Sequence, residues 1–231
     1  MNYLITPPNT HYDGGLGITA CNFSQAADSL REVKNLMIGI LPTCYLQRHA
    51  IELFLKSLIV ILHKKYGLTY GQGFSQEKPA IKVNTKWVPL SNTHNLLDLF
   101  NYFQEIFIPL IPELPSRTDW SLEPGIESKI KLISGSDPKS TYFRYPESTN
   151  SVQDSKKSSI QPETMESILG KFKAKKEFVK CTLLLDENDN LVQAYSLDHP
   201  PIPNTLAALK YLSEYFYNMH AAFRSEITKG F

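Results

Sequence analysis

The sequence predicts a mainly α protein, a helical bundle whose last helix is set apart by an irregular insertion containing a β-hairpin. Three observations predict it. Apolar residues recur at helical spacing in four segments, about 24–40, 43–66, 94–107 and 204–228. The stretch from about 135 to 200 loses that periodicity and becomes polar and turn-rich. Within it, "KEFVKCTLLLDENDNLVQAYSLD" sets two runs of β-branched and aromatic residues around a polar turn, the pattern of a hairpin. At 231 residues the chain can build one good-sized core plus such an insertion, so 1–231 is read as a single domain.

The elements follow in order. The first stretch, through Ala20, holds prolines and a "DGG" turn and reads as irregular. In "SQAADSLREVKNLMIGI", Ala27, Leu30, Val33, Leu36, Met37 and Ile40 share one face; Ser24 suits the N-cap and Pro42 marks the stop. A second helix runs from about Thr43 to Tyr66 and ends at Gly67. A polar, glycine-bearing stretch follows, with a short strand around "IKVNTKWV". The third helix puts Leu96, Leu97, Phe100, Phe103 and Phe107 on its apolar face, with Asn92 or Thr93 as its cap, and Pro109 and Pro112 end it. "EPGIESKIKLIS" can form a further helix with Ile126, Ile130 and Ile133 on one side. The last helix starts at an Asn204 cap and repeats Leu206, Leu209, Leu212, Phe216, Met219 and Phe223.

Composition narrows the function classes. Apolar residues make up 42% and charged residues 20%, with 24 Lys plus Arg against 23 Asp plus Glu and a net charge of +1. That balance demands neither nucleic acid nor an anionic membrane as partner. The cysteines, Cys21, Cys44 and Cys181, lie far apart without zinc-site spacing, so reduced thiols in a cytoplasm fit. The N-terminal "MNYLITPPNTHYDGG" lacks the pattern of a signal peptide, and the run "LFLKSLIVIL" is interrupted by Lys56 and too short to span a bilayer. A cytoplasmic protein with no membrane contact, no metal and no cofactor is expected. P-loop, Rossmann, GxSxG and HExxH patterns are absent from the sequence. "DENDN" reads as a hairpin turn rather than a calcium loop. "KFKAKKEFVK" reads as a solvated helix end or strand start rather than a phosphate site. His199 and His220 have no evident partners.

The chemistry concentrates on the second helix, "CYLQRHAIELFLKSLIVILHKK". At about 100° per residue, Leu46, Ala50, Leu53, Phe54, Ser57, Leu58 and Ile61 fall on one broad face. Tyr45, His49, Glu52, Lys56 and His63 fall opposite, with Arg48 just outside that strip. Leu55 and Ile59 flank the strip, so its polar groups need partners or a water-filled groove. Two readings compete: a surface Glu52–Lys56 pair with His49 at the border of the core, or a polar seam lining a ligand groove.

The segment "YLQRHAIELFLKSLI", followed after a variable loop by "THNLLDLF", resembles the helix pair of HEPN-domain proteins. Ala50, Glu52, Leu55 and Lys56 match the Ala-x-Glu-x-x-Leu-Lys part, and His94, Leu96 and Leu99 match His-x-Leu-x-x-Leu. "SGSDPKSTYFRYP" is similar to a feature of longer bacterial members, an Asp-Pro followed by aromatic-Arg-Tyr-Pro. The resemblance covers roughly residues 25–107 and 134–146. It implies a HEPN-like bundle that forms homodimers and acts on RNA or nucleotides, often in toxin–antitoxin or antiviral phage-defence systems with a protein partner from the same operon. Many members are metal-independent ribonucleases that use an Arg followed four to six residues later by a His. No arginine of this chain has a histidine at that distance: Arg48 is followed at once by His49.

Metal-free RNA cleavage needs a proton acceptor, a proton donor and a cation for the phosphorane charge. His49 and His94 suit the first two roles and Arg48 the third; Arg144 is an alternative cation. Glu52, Lys56, Arg144 and Tyr145 are candidate ligand-binding residues. Each has a structural alternative: His94 can serve the start of its helix, Asp137 can form a turn or pair with Arg144, and Arg144 can hold the insertion. Three function classes follow. The leading one is a dimerising module that binds RNA, nucleotide or a protein; the others are a ribonuclease with a rearranged His/Arg site and a structural adaptor for a larger effector. Tyr211, Tyr215 and Tyr217 on the last helix suit an interface.

Overall fold

A computed structural model describes residues 6–32, 36–145, 151–158, 160–174, 179–197 and 202–230. Val33 and His199 lie outside the described residues, as do 175–178 of the basic run. The chain divides into two compact units, Met1–Arg144 with Asn204–Phe231, and Tyr145–Pro203. The second unit thus begins at Tyr145, later than the expected boundary near 135.

The first unit is helical. Helix α1 spans Leu16–Glu32 and α2 spans Leu36–Tyr66. Helix α3 spans Leu96–Phe107, α4 spans Ile126–Ser136, and the last helix, Pro203–Ala222, continues as a π-helical turn over Phe223–Ile227. A hairpin of β1 (Ala80–Val83) and β2 (Lys86–Pro89) connects α2 to α3, pairing Ile81 with Val88 and Lys82 with Trp87. Its turn places Asn84 at φ 55°, a left-handed conformation that Asn tolerates.

Four helix boundaries differ from expectation. The last helix begins at Pro203, so Asn204 lies inside it rather than capping it. Helix α1 begins at Leu16, so Ser24 is interior rather than a cap. Asp13 supplies the capping instead: its carboxylate accepts from Gly15 N at 3.0 Å and Gly17 N at 2.7 Å. Pro42 does not stop a helix but lies inside α2, which begins at Leu36; Leu36, Met37 and Ile40 therefore belong to α2 and not to the helix expected over about 24–40. An interior proline costs about 3 kcal/mol, and burial downstream outweighs it, since every residue from Ala50 to His63 is buried. The cap of α3 is Asn95, whose Oδ1 accepts from Leu97 N at 2.9 Å and Asp98 N at 3.4 Å. Asn92 instead ends a short 3₁₀ turn, Leu90–Asn92, and Thr93 follows it.

The core lies between α2, α3 and the last helix. Phe100, Phe103, Phe107, Phe216 and Phe223 are all 0–1% exposed. Their rings meet in edge, tilted and stacked pairs, such as Phe103–Phe107 at 4.8 Å and Trp120–Phe223 at 5.5 Å. Leu209 and Leu212 of the expected apolar face are fully buried. Tyr211 and Tyr215 stack on each other, and Tyr217 is 40% exposed.

His63 illustrates a polar group absorbed by this core. Its Nδ1–H donates to Leu68 O at 3.0 Å, which leaves Nε2 to accept from the Tyr102 hydroxyl at 2.8 Å. Its ring stacks on Tyr70 at 3.9 Å. Burial pushes its pKa below the ordinary histidine value, against a smaller upward pull from the Leu68 carbonyl. A depressed folded-state pKa means that the unfolded chain takes up the proton first. The His63 contribution to stability is therefore complete above about pH 6.5 and fades as pH falls below it. Denaturant midpoints measured from about pH 8 to about pH 5 are expected to fall, and His63→Phe is expected to flatten that fall.

The second unit contains α5 (Ser151–Ser155), β3 (Gln161–Glu163), α6 (Met165–Ala174), β4 (Cys181–Leu185) and β5 (Leu191–Ser196). The expected hairpin is β4–β5, and β3 adds on the other side of β5, giving the order β3-β5-β4, all antiparallel. Asp186 serves the "DENDN" turn, its Oδ1 accepting from Asn188 N and Asn190 N at 2.8 Å each. The start of the basic run, Lys171–Ala174, ends α6.

Candidate functional site

The seam predicted on α2 is a buried ion cluster centred on Glu52. Residues four apart on a helix lie one above the other, so Arg48, Glu52 and Lys56 form a column. Arg48 Nη1 donates to Glu52 Oε2 at 2.8 Å, and Lys56 Nζ donates to Glu52 Oε1 at 2.8 Å. None of the three is a surface group: Arg48 is 0%, Glu52 1% and Lys56 5% exposed. The surface-pair reading of Glu52–Lys56 is thereby corrected. Arg48, placed by helical angle outside the strip, is inside the cluster, because its side chain is long enough to swing toward the carboxylate.

Two further segments close the cluster. His94, just ahead of α3, donates from Nδ1 to Glu52 Oε1 at 2.9 Å. Its backbone carbonyl accepts from Arg48 Nη2. Asp137, which follows α4, places Oδ2 3.0 Å from Arg48 Nε. Its Oδ1 accepts from Thr141 N at 2.7 Å and Tyr142 N at 3.0 Å, so it forms the expected turn as well. The expected Asp137–Arg144 pair is not the one that forms. Asp137 pairs with Arg48, and Arg144 turns its Nε to Ser140 O and its guanidinium toward the Tyr45 ring, 5.7 Å from the centroid. Burial alone would raise the Glu52 carboxyl. The Lys56 ammonium, Arg48 and the His94 hydrogen bond outweigh it and hold Glu52 below the ordinary glutamate value.

The two candidate histidines separate. His94 is half-exposed, 52% by side chain. With Nδ1 held by Glu52, its Nε2 has no protein partner among the described residues, the arrangement by which a carboxylate orients a general base. His49 makes no hydrogen bond among the described residues. Its ring stacks on Tyr45 at 5.9 Å and meets Phe23 edge-on at 4.6 Å. Burial first, then Lys56 and Arg48, pull its pKa below the ordinary value against the Glu52 charge. His63, on the same predicted strip, belongs to the aromatic cluster with Tyr70 and Tyr102. Tyr145 is 53% exposed and begins the second unit.

A second buried polar cluster escaped the sequence reading. His220, which has no evident partner in sequence, is 2% exposed and places Nε2 3.6 Å from Asp13 Oδ2. Ser57 Oγ donates to the same oxygen at 2.5 Å. The signal was present in "YDGGLG": an Asp with glycines two and four residues later ahead of an apolar run is a capping pattern. Its link to Ser57 and His220, 44 and 207 residues away (57 − 13 and 220 − 13), has no local signature.

Among the described residues, no three His, Cys, Asp or Glu side chains gather to hold a metal ion. Cys21 and Cys44 are buried and Cys181 is exposed, and none of the three is in a disulfide. No family model, curated protein or solved structure matches the chain. The fold and the site therefore define a class only: a mainly helical protein, with a small antiparallel sheet, that buries an Arg–Glu–Lys–Asp network beside a half-exposed histidine. Among the described residues, no helix is long and apolar enough to cross a membrane.

Proposed function

We propose that the chain is a HEPN-like module that binds RNA, and that it binds rather than cleaves. The supporting observation is the internal pairing of the cluster. Arg48 is occupied by Glu52, Asp137 and the His94 carbonyl, and Lys56 by Glu52. Phosphorane stabilisation needs a cation that can turn to the phosphate. Arg48 meets that need only by breaking two buried charge pairs. His49 lies in an aromatic stack and lacks the hydrogen-bonding position of an acid/base partner to His94.

The exposed groups beside the cluster suit a binding rim. His94 offers Nε2, and the exposed Arg144, beside the Tyr45 ring, suits a phosphate and a stacked base. Homodimer formation, a protein partner from the same operon, a cytoplasmic location and a role in phage defence or toxin–antitoxin function belong to this proposal through the HEPN resemblance. A second reading, a metal-independent ribonuclease, is favoured by one specific feature: Glu52 orients His94 as a carboxylate orients a catalytic histidine.

Incubating the purified chain with total RNA in EDTA, beside a His49→Ala, His94→Ala variant, separates the two. The binding module leaves RNA intact while retarding a labelled single strand, and Arg144→Ala weakens that binding by about tenfold. Cleavage by the wild type that disappears in the double-histidine variant would establish the ribonuclease. Absence of both retardation and cleavage would exclude both readings.

A further inference from the structure

A cavity of about 450 Å³ opens between α1, α2 and the last helix, and it shares no residue with the Glu52 cluster. Gln47 lies at its floor, only 1% exposed. Among the described residues, neither Oε1 nor Nε2 of that side chain has a hydrogen-bond partner, although both are buried. Ser24 and Ser213, which line the same cavity, hydrogen-bond to each other at 3.1 Å. Arg31 lines the same cavity, and its buried Nε–H is also unpartnered while Nη1 pairs with Asp28 at 3.2 Å. Buried polar groups left unpaired are costly and rare. Here an amide with both a donor and an acceptor, and a guanidinium N–H, stand unsatisfied in one cavity of ligand size.

We infer that this cavity is a binding site for a small, neutral, planar molecule carrying an amide-type edge, a carbonyl acceptor beside an N–H donor. Gln47 is the complement of that edge: Nε2 donates to the carbonyl and Oε1 accepts from the N–H. Arg31 Nε supplies one more donor for a second acceptor on the ligand. The formal charges of the lining cancel, Arg31 and Lys210 against Asp28 and Glu214, which favours a neutral ligand over a phosphate or a carboxylate. Tyr217, 40% exposed at the wall, offers an aromatic ring to a flat ligand. Two sources present this chemistry: a nucleobase lactam and an aromatic carboxamide.

Calorimetry and thermal shift with the full chain test the inference, using uracil, nicotinamide and benzoate as probes. Uracil and nicotinamide both carry the edge, and whichever binds identifies the source. Benzoate offers a similar ring with acceptors only. The expected result is a raised Tm with at least one of the first two and none with benzoate. Gln47→Leu is expected to weaken that binding by about tenfold or more, while its own stability without ligand equals or exceeds that of the wild type. Gln47→Glu keeps the shape but loses the donor, and should lose binding likewise. The inference is overturned if no edge-bearing probe binds. It is equally overturned if Gln47→Leu retains the affinity, or if Gln47→Leu alone is strongly destabilised, which would mean that the amide already serves the fold.

Discussion

Glu52→Leu is expected to destabilise the protein by about 3–5 kcal/mol, the cost of stripping buried charges of their partner. Glu52 accepts from Arg48, Lys56 and His94 at 2.8–2.9 Å. Among the described residues, removing it leaves one ammonium at 5% exposure with no carboxylate, and a guanidinium at 0% exposure with Asp137 as its remaining carboxylate. Leucine fills similar space, so packing loss is the smaller part. For a chain of this size each kcal/mol moves Tm by about 2–4 °C, which predicts a drop of roughly 10 °C. Glu52→Gln separates charge from shape: it keeps an acceptor in place yet is expected to lose most of the same free energy. Lys56→Met should cost less, because Glu52 keeps Arg48 and His94. Urea denaturation with an unchanged m-value measures all three. A Glu52→Gln protein within about 0.5 kcal/mol of wild type would show that the network contributes little.

The second large effect is expected at the N-terminal end of α1. Asp13→Ala should cost about 3 kcal/mol, combining a lost helix cap with buried donors left unsatisfied. Asp13 is 3% exposed and accepts from Gly15 N, Gly17 N and Ser57 Oγ, with His220 Nε2 at 3.6 Å. Burial would raise its pKa; His220, Ser57 and Gly17 together reverse that and hold it far below the ordinary aspartate value. For a depressed carboxylate the stabilisation is full above the unfolded value, about 3.9. It is lost as pH falls from there toward the folded value. Wild-type and Asp13→Ala stabilities should therefore differ at neutral pH and converge in strong acid. Gly17→Ala tests the same cluster sterically, since an added Cβ would sit 2.0 Å from His220 Nε2 and 2.8 Å from Asp13 Oδ2. Its expected cost is about 1–3 kcal/mol. Parallel pH curves for wild type and Asp13→Ala would contradict the linkage.

Local physics made much of this protein legible in advance. Periodicity located α2, α3, α4 and the last helix, because a helix buries a stripe that recurs every three to four residues. Two β-rich runs around "DENDN" located β4 and β5. What failed were signals that compete with tertiary burial. Pro42 reads as a stop, and only packing along the whole of Ala50–His63 reveals that it does not end α2. Asn95 and Asn92 look alike as caps until Leu90–Asn92 is seen to close its own 3₁₀ turn and Thr93 to run extended toward the start of α3.

The site divides in the same way. Helical geometry by itself puts Glu52 and Lys56 on one strip, and the resemblance adds His94. Sequence also shows that Arg48 lacks the downstream histidine of the HEPN ribonuclease motif. Only the fold decided that Arg48 joins Glu52, that Asp137 faces Arg48 rather than Arg144, that His49 leaves for the Tyr45 stack, and that Asp13 meets His220. The physical reason is range. Capping, periodicity and i,i+4 pairing act within a turn or two of chain and are written in adjacent residues. Which distant charge neutralises a buried one depends on where helices cross, and that is fixed by the packing of the whole core.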